Sequence, residues 1–211
     1  MSVSEDRTAQ TAVQPAAAAS PIADPAPLGL AGFALTTFLL SAANAKWMTA
    51  ATGSAWLGYA LAYGGVAQLL AGMWEFRNRN VFGATAFSTY GGFWIGLFLW
   101  AKFVAPSATS ASAADHDIAW ILLAFAIFNT YMMLLSAQLN MAVFGVFLTL
   151  ELTEIILFIG NFAGSTATVQ VGGYLGIITA LVAWYASFAG IANGIGGRIR
   201  VPVGKPLLAA A

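Results

Sequence analysis

The chain has 211 residues, no formal net charge, 60% apolar side chains and only 8% charged ones. A soluble domain carries about a quarter charged residues, so a water-facing core of this length leaves apolar surface over, and that surplus faces lipid. The absence of cysteine excludes disulfides and thiolate metal sites, the single His116 offers no imidazole cluster, and no basic field points to nucleic acid.

Residues 1–23 are rich in Ala, Thr, Ser, Pro and Gln and carry Glu5, Asp6 and Arg7. The Ala16–Ala19 run is too short and too weakly apolar for a signal-peptide core. A disordered tail is expected, with insertion directed by the first membrane helix. A spanning helix needs about 20 mostly apolar residues, and six stretches qualify: 28–47, 55–76, 81–104, 118–139, 141–163 and 171–194. The predicted class is all-α, a polytopic bundle of six transmembrane helices over 24–197, ending in a short basic tail at 198–211.

Each break has a chemical reason. Lys46 through Ser54 is polar with Gly53, and Arg77-Asn78-Arg79-Asn80 is the most polar tetrad in the body. Pro106 through Asp117 is a Ser/Ala loop whose Asp115-His116-Asp117 suggests a cap for the fourth helix. The break near Gln138–Asn140 requires a very tight turn, and Gly164 through Val169 is Ser/Thr-rich. Glu75 and Arg79 stand four apart at a helix end, the spacing of an ion pair, while Lys102 can snorkel to the interface. Arg7, Arg77, Arg79, Arg198, Arg200 and Lys205 share one side, and Lys46 and Lys102 the other. That bias places both termini in the cytoplasm of a multi-pass cell-membrane protein.

Small residues recur four apart at Ala60/Gly64, Gly92/Gly96, Gly160/Gly164, Gly172/Gly176 and Gly190/Gly194, spacing that lets membrane helices approach closely. Neutral polar side chains inside the spans, among them Thr36, Thr37, Gln68, Tyr90, Asn129, Thr149, Thr153 and Asn161, suit a polar solute path; each hydroxyl alone can equally bond its own helix carbonyls. Glu151 and Glu154 are the sharpest anomaly. They sit mid-span, one turn apart, with no basic residue at matching depth. Central carboxylates cost about 2.5–3.5 kcal/mol on insertion scales, so burial favours their neutral form. They are candidates for coupling a proton to solute movement, or else neutral packing residues.

The first span opens with Asp24-Pro25-Ala26-Pro27-Leu28-Gly29. Asp24 can cap, Pro25 suits a first helical position, and a helix N-terminus attracts anions. The run PAPLGLAGFALTTFLLS at 25–41 resembles the signature of the acetate uptake transporter family, the succinate–acetate permeases. YGGVAQLLAGMWEFRNRNVFGATAFSTYGGFW at 63–94 resembles that family's second and third spans, and GNFAG at 160–164 its fifth-span ending. The likeness covers nearly all of 24–195. It implies six helices per subunit, a homo-hexamer, and proton-linked passage of acetate, in some members succinate, through each protomer. It also implies an apolar constriction at Phe33, Tyr90 and Leu150, which can obstruct hydrated ions by dewetting. Thr36, Thr37 and Asn161 are candidates for hydrogen bonds to the solute carboxylate, and Asp24, Pro25, Pro27 and Gly29 for the opening motif. Two departures stand out: the family motif begins with Asn where this chain has Asp24, and Glu151 and Glu154 sit beside the constriction.

No cofactor or metal is expected. Enzyme chemistry lacks support, with no HExxH motif, no cysteine nucleophile and no histidine inside a span. A retinal Schiff base needs an intramembrane lysine, and Lys102 lies at a span end. The remaining alternative is a passive anion channel for the same solutes.

Overall fold

A computed structural model describes residues 22–48 and 54–208; the expected disordered tail at 1–23 falls almost wholly outside the described residues. Within them six helical rods form. We name them α1 (Ala26–Asn44), α2 (56–77), α3 (81–107), α4 (Ala111–Ser136), α5 (Met141–Phe162) and α6 (Thr166–Gly194). α2 is interrupted by a π-helical stretch at Ala62–Ala67, and α3 loosens into one at Trp100–Val104 before a last 3₁₀ turn. Four of the rods, α1, α4, α5 and α6, are individually long and apolar enough to cross a membrane; π-helical turns break the other two.

The helix ends follow local chemistry and correct three expectations. α4 begins at Ser110, whose hydroxyl accepts from the Ala113 amide at 3.1 Å, so Asp115, His116 and Asp117 lie inside the helix rather than capping it. A serine in extended backbone leaves its oxygen over the free amides, which the more distant aspartates cannot match. At α1, Pro25 rather than Asp24 is the cap residue, so the helix starts one residue later than expected, and Asp24 Oδ1 accepts from the Ala26 amide at 2.9 Å. Arg79 takes a left-handed turn (φ 60°) just past α2, which carries it off the helix. Glu75 therefore does not meet Arg79; its side chain is fully buried and accepts from Asn78 at 3.1 Å. The tight break after α4 is as short as expected: Ser136 ends the helix and Asn140 caps α5, accepting from the Val143 amide at 3.0 Å.

α1 packs along α6, α6 along α5, α5 along α4, and α2 along α3, with α1 also against α2. Side chains close the remaining seam between α3 and α4: Phe93 meets Phe125 with ring centroids 4.6 Å apart, and Tyr90 meets Phe128 at 5.5 Å. Small residues permit the closest approaches, as expected for a bundle without hydrophobic drive between helices. A Cβ on Gly32 would fall 2.7 Å from the Tyr63 carbonyl oxygen, and one on Gly72 2.5 Å from the Ser88 amide. Gly92, Gly96 and Gly194 have open space where a Cβ would stand, so those members of the small-residue series do not hold this protomer together.

The C-terminal stretch is pinned rather than loose. The Val203 carbonyl accepts from Ala142 N–H at 2.9 Å, Leu208 N–H donates to Ala137, and Asn193 exchanges two hydrogen bonds with the Val201 backbone. Tyr185 O–H donates to the Pro202 carbonyl.

Candidate functional site

α1, α3 and α5 all start at the end of the bundle that carries both described chain ends. Asp24, which accepts from the first turn of α1, and the caps of the other two, Asn80 and Asn140, line the mouth of a cavity of about 300 Å³. Three helix N-termini thus converge there, each with free amides and the positive end of a helix dipole, an arrangement that favours anions. Asp24 brings an opposing carboxylate to the same mouth. Deeper in, the cavity is mostly apolar, with the buried Gln68 of α2 as its polar exception.

The cavity ends at Phe33, Tyr90 and Leu150. A second, smaller cavity of about 40 Å³ begins on the other side of the same three residues, lined by Thr37, Ser41, Asn44, Thr153 and Glu154 with apolar neighbours. All three constriction residues are buried at 3–6% exposure, and the Phe33 and Tyr90 rings meet edge to face with centroids 5.7 Å apart. Helical repeat explains the line-up. Pro27, Leu30, Phe33 and Thr37 succeed one another at spacings of three and four on α1, as do Phe147, Leu150, Glu154 and Leu157 on α5, so each helix shows one stripe to both cavities.

The two glutamates part company. Residues three apart on a helix differ by about 60° in direction, and that offset sends Glu151 toward α4 and leaves Glu154 on the cavity. Glu151 Oε2 accepts from Asn129 Nδ2 and its Oε1 from Thr130 Oγ1, both at 2.7 Å. Asn129 is fully buried; it accepts from the Tyr90 hydroxyl at 2.9 Å and also donates to the Phe147 carbonyl. A continuous chain of hydrogen bonds therefore ties the constriction tyrosine to Glu151. Glu154, at 3% exposure, lines the smaller cavity, and its Oε2 has no hydrogen-bond partner.

The other expected contacts divide in the same way. Thr37 lines the smaller cavity with its hydroxyl unpartnered. Thr36 is spent inside the protein, donating to the Gly32 carbonyl at 3.0 Å, and Asn161 donates to Leu157 of its own helix at 2.7 Å; neither lines a cavity. Thr149 and Thr153 likewise bond their own helix carbonyls. The broad polar path expected from the sequence thus narrows to Gln68, the Tyr90–Asn129–Glu151 chain, and Thr37 with Glu154. Of the opening motif, Asp24 and Pro27 line the larger cavity, while Gly29 admits the Phe87 ring, 2.6 Å from where a Cβ would stand. Asn129 was visible in the sequence as a lone amide within an apolar span; what was hidden was its partner.

The chain is 37% identical over 188 residues to ammonia transport outward protein 2 of Saccharomyces cerevisiae, covering 86% of this chain and about two thirds (67%) of that protein. It is 33% identical over 185 residues to the succinate-acetate/proton symporter SatP of Escherichia coli, covering 87% of this chain and 96% of that one. Its fold superposes on the solved bacterial acetate channel SatP with a TM-score of 0.80 at 32% identity, over 87% of this chain and 99% of the other. Residues 7–205 match the GPR1/FUN34/yaaH family, and the chain belongs to it.

Proposed function

We propose that this chain passes acetate and other small carboxylates, succinate among them, across the cell membrane together with protons, each protomer of a homo-hexamer carrying one path, with both termini in the cytoplasm. The observation that carries the reading is the pair of cavities joined end to end at Phe33, Tyr90 and Leu150, with three helix N-termini around the wider mouth. That mouth draws anions by its dipoles, and the apolar ring strips or excludes hydrated ions. The similarity to a succinate-acetate/proton symporter supports the substrate and the proton. The surplus of basic residues on one face supports the orientation. Large exposed apolar side chains such as Trp120, Ile127 and Phe188 suit lipid or a neighbouring protomer. The reading assigns no catalysis.

A second reading, passive conduction of the anion, is favoured by the solved relative's description as an acetate channel. Radiolabelled acetate uptake into proteoliposomes, with and without an imposed proton gradient, separates the two. Accumulation above equilibrium only with the gradient marks a symporter, and equilibration in both conditions marks a channel. No acetate flux in either condition sinks the substrate assignment.

A further inference from the structure

We propose that the smaller cavity is a site for the undissociated carboxyl group of the solute, at which Glu154 and the solute share a single proton. The inference rests on the transport reading above and adds to it the place where the proton is held.

Three polar side chains from different helices line this cavity with a buried polar atom unpartnered: Thr37 of α1, 5% exposed, through Oγ1, Trp94 of α3, 2% exposed, through Nε1, and Glu154 of α5, 3% exposed, through Oε2. A buried polar atom left unpaired is costly, and such atoms in a native structure call for an explanation. Thr153 and Glu151 beside them need none. Thr153 donates to the Thr149 carbonyl and meets Thr179 at 3.0 Å, and Glu151 is held by Asn129 and Thr130. The residues that carry the unpaired atoms thus line one small space.

The lining decides the ligand's chemistry. No lysine or arginine is part of it, so two ionised carboxyls here would stand out of water with no cation between them, which is costly, and at least one proton belongs to the pair. A carboxylic acid fits: its O–H donates to Glu154 Oε2, and its carbonyl accepts from the Thr37 hydroxyl. Two carboxyl groups sharing one proton titrate as a pair. The titratable neighbours are Tyr90 on α3 and Glu151 on Glu154's own helix. α1 presents Thr37, Ser41 and Asn44 and α4 presents Leu122, none of which titrates, and α6 contributes no lining residue. The proton arrives on the acid and departs on it, so Glu154 ends as it began and each carboxylate crosses with one proton and no net charge.

The test uses the full-length protein in proteoliposomes, following radiolabelled acetate influx and internal pH together, with protein-free vesicles subtracted. The wild type is expected to bring in one proton per acetate at a rate unchanged by valinomycin in symmetric potassium. Glu154→Gln keeps the shape but cannot share a proton. Its influx is expected to fall at least tenfold, or to persist with less than a third of a proton per acetate. A Gln variant that keeps both the rate, within twofold, and the one-to-one ratio overturns the proposal, as does a wild type that moves acetate without protons. Should the variant fail to assemble, competition on the wild type decides. Acetamide, which offers the same donor and acceptor, is expected to inhibit acetate influx, and methylammonium is not. Inhibition by methylammonium alone makes this a cation site and overturns the proposal. Absence of any wild-type acetate influx sinks the transport reading itself, a separate outcome.

Discussion

Replacing Tyr90 with Phe deletes one oxygen from the constriction and leaves the ring. The lost bond is the 2.9 Å donation to Asn129 Oδ1. Interhelical hydrogen bonds in membrane proteins average about 0.6 kcal/mol and reach about 1.7. Asn129 is fully buried, so its orphaned oxygen adds part of the 1–3 kcal/mol penalty of an unsatisfied group, roughly. A net loss of about 1–2 kcal/mol follows, which for a chain of this length lowers Tm by roughly 2–4 °C per kcal/mol. Thermal unfolding in detergent, read by intrinsic fluorescence, measures it directly. A double-mutant cycle with Asn129→Ala isolates the pair and is expected to give a coupling of about 0.6–1.7 kcal/mol. A Tm within about 1 °C of the wild type, together with zero coupling, refutes the claim that the tyrosine is anchored through Asn129.

Two further perturbations test the packing and the C-terminal strap. Gly72→Val drives a side chain into the Ser88 backbone and is expected to cost about 3 kcal/mol, whereas Gly92→Ala, facing open space, is expected to gain about 0.5–1 kcal/mol from helix propensity. Both are read as Tm shifts, and a fall for Gly92→Ala with loss of the oligomer would place that residue at a subunit contact instead. Asn193→Ala removes both hydrogen bonds that hold the Val201 backbone. Amide hydrogen exchange across 199–208 is expected to rise about tenfold, the equivalent of 1.4 kcal/mol; unchanged exchange means that Tyr185 and the α5 contacts suffice.

The rods were legible because twenty apolar residues in a row have few other fates, and their breaks because Arg77 through Asn80 and the Gly164 turn interrupt them. What escaped was local competition. Ser110 displaced Asp115-His116-Asp117 as the cap because it comes first with the right backbone, and neither composition nor hydropathy marks the wide turns at Ala62–Ala67. Motif likeness picked out Phe33, Tyr90 and Leu150, which the fold brings to one level. The sequence weighed Thr36 with Thr37, and Glu151 with Glu154, as equals. They differ because one of each pair finds a bond within the bundle and the other does not, and that depends on which neighbour a 60° or 100° turn of helix meets.

The tie from Tyr90 to Asn129 bears on how the narrow point can breathe. Phe33 and Leu150 have no polar atom in their side chains, and only packing restrains their rotamers. The phenol is fixed at its far end, and swinging it aside breaks a buried bond. Fast fluctuations in aperture therefore arise on the α1 and α5 sides, while the α3 side behaves as a fixed anvil. A solute large enough to need that wall to yield must wait for α3 and α4 to part, a collective motion on the microsecond-to-millisecond scale rather than a side-chain flicker.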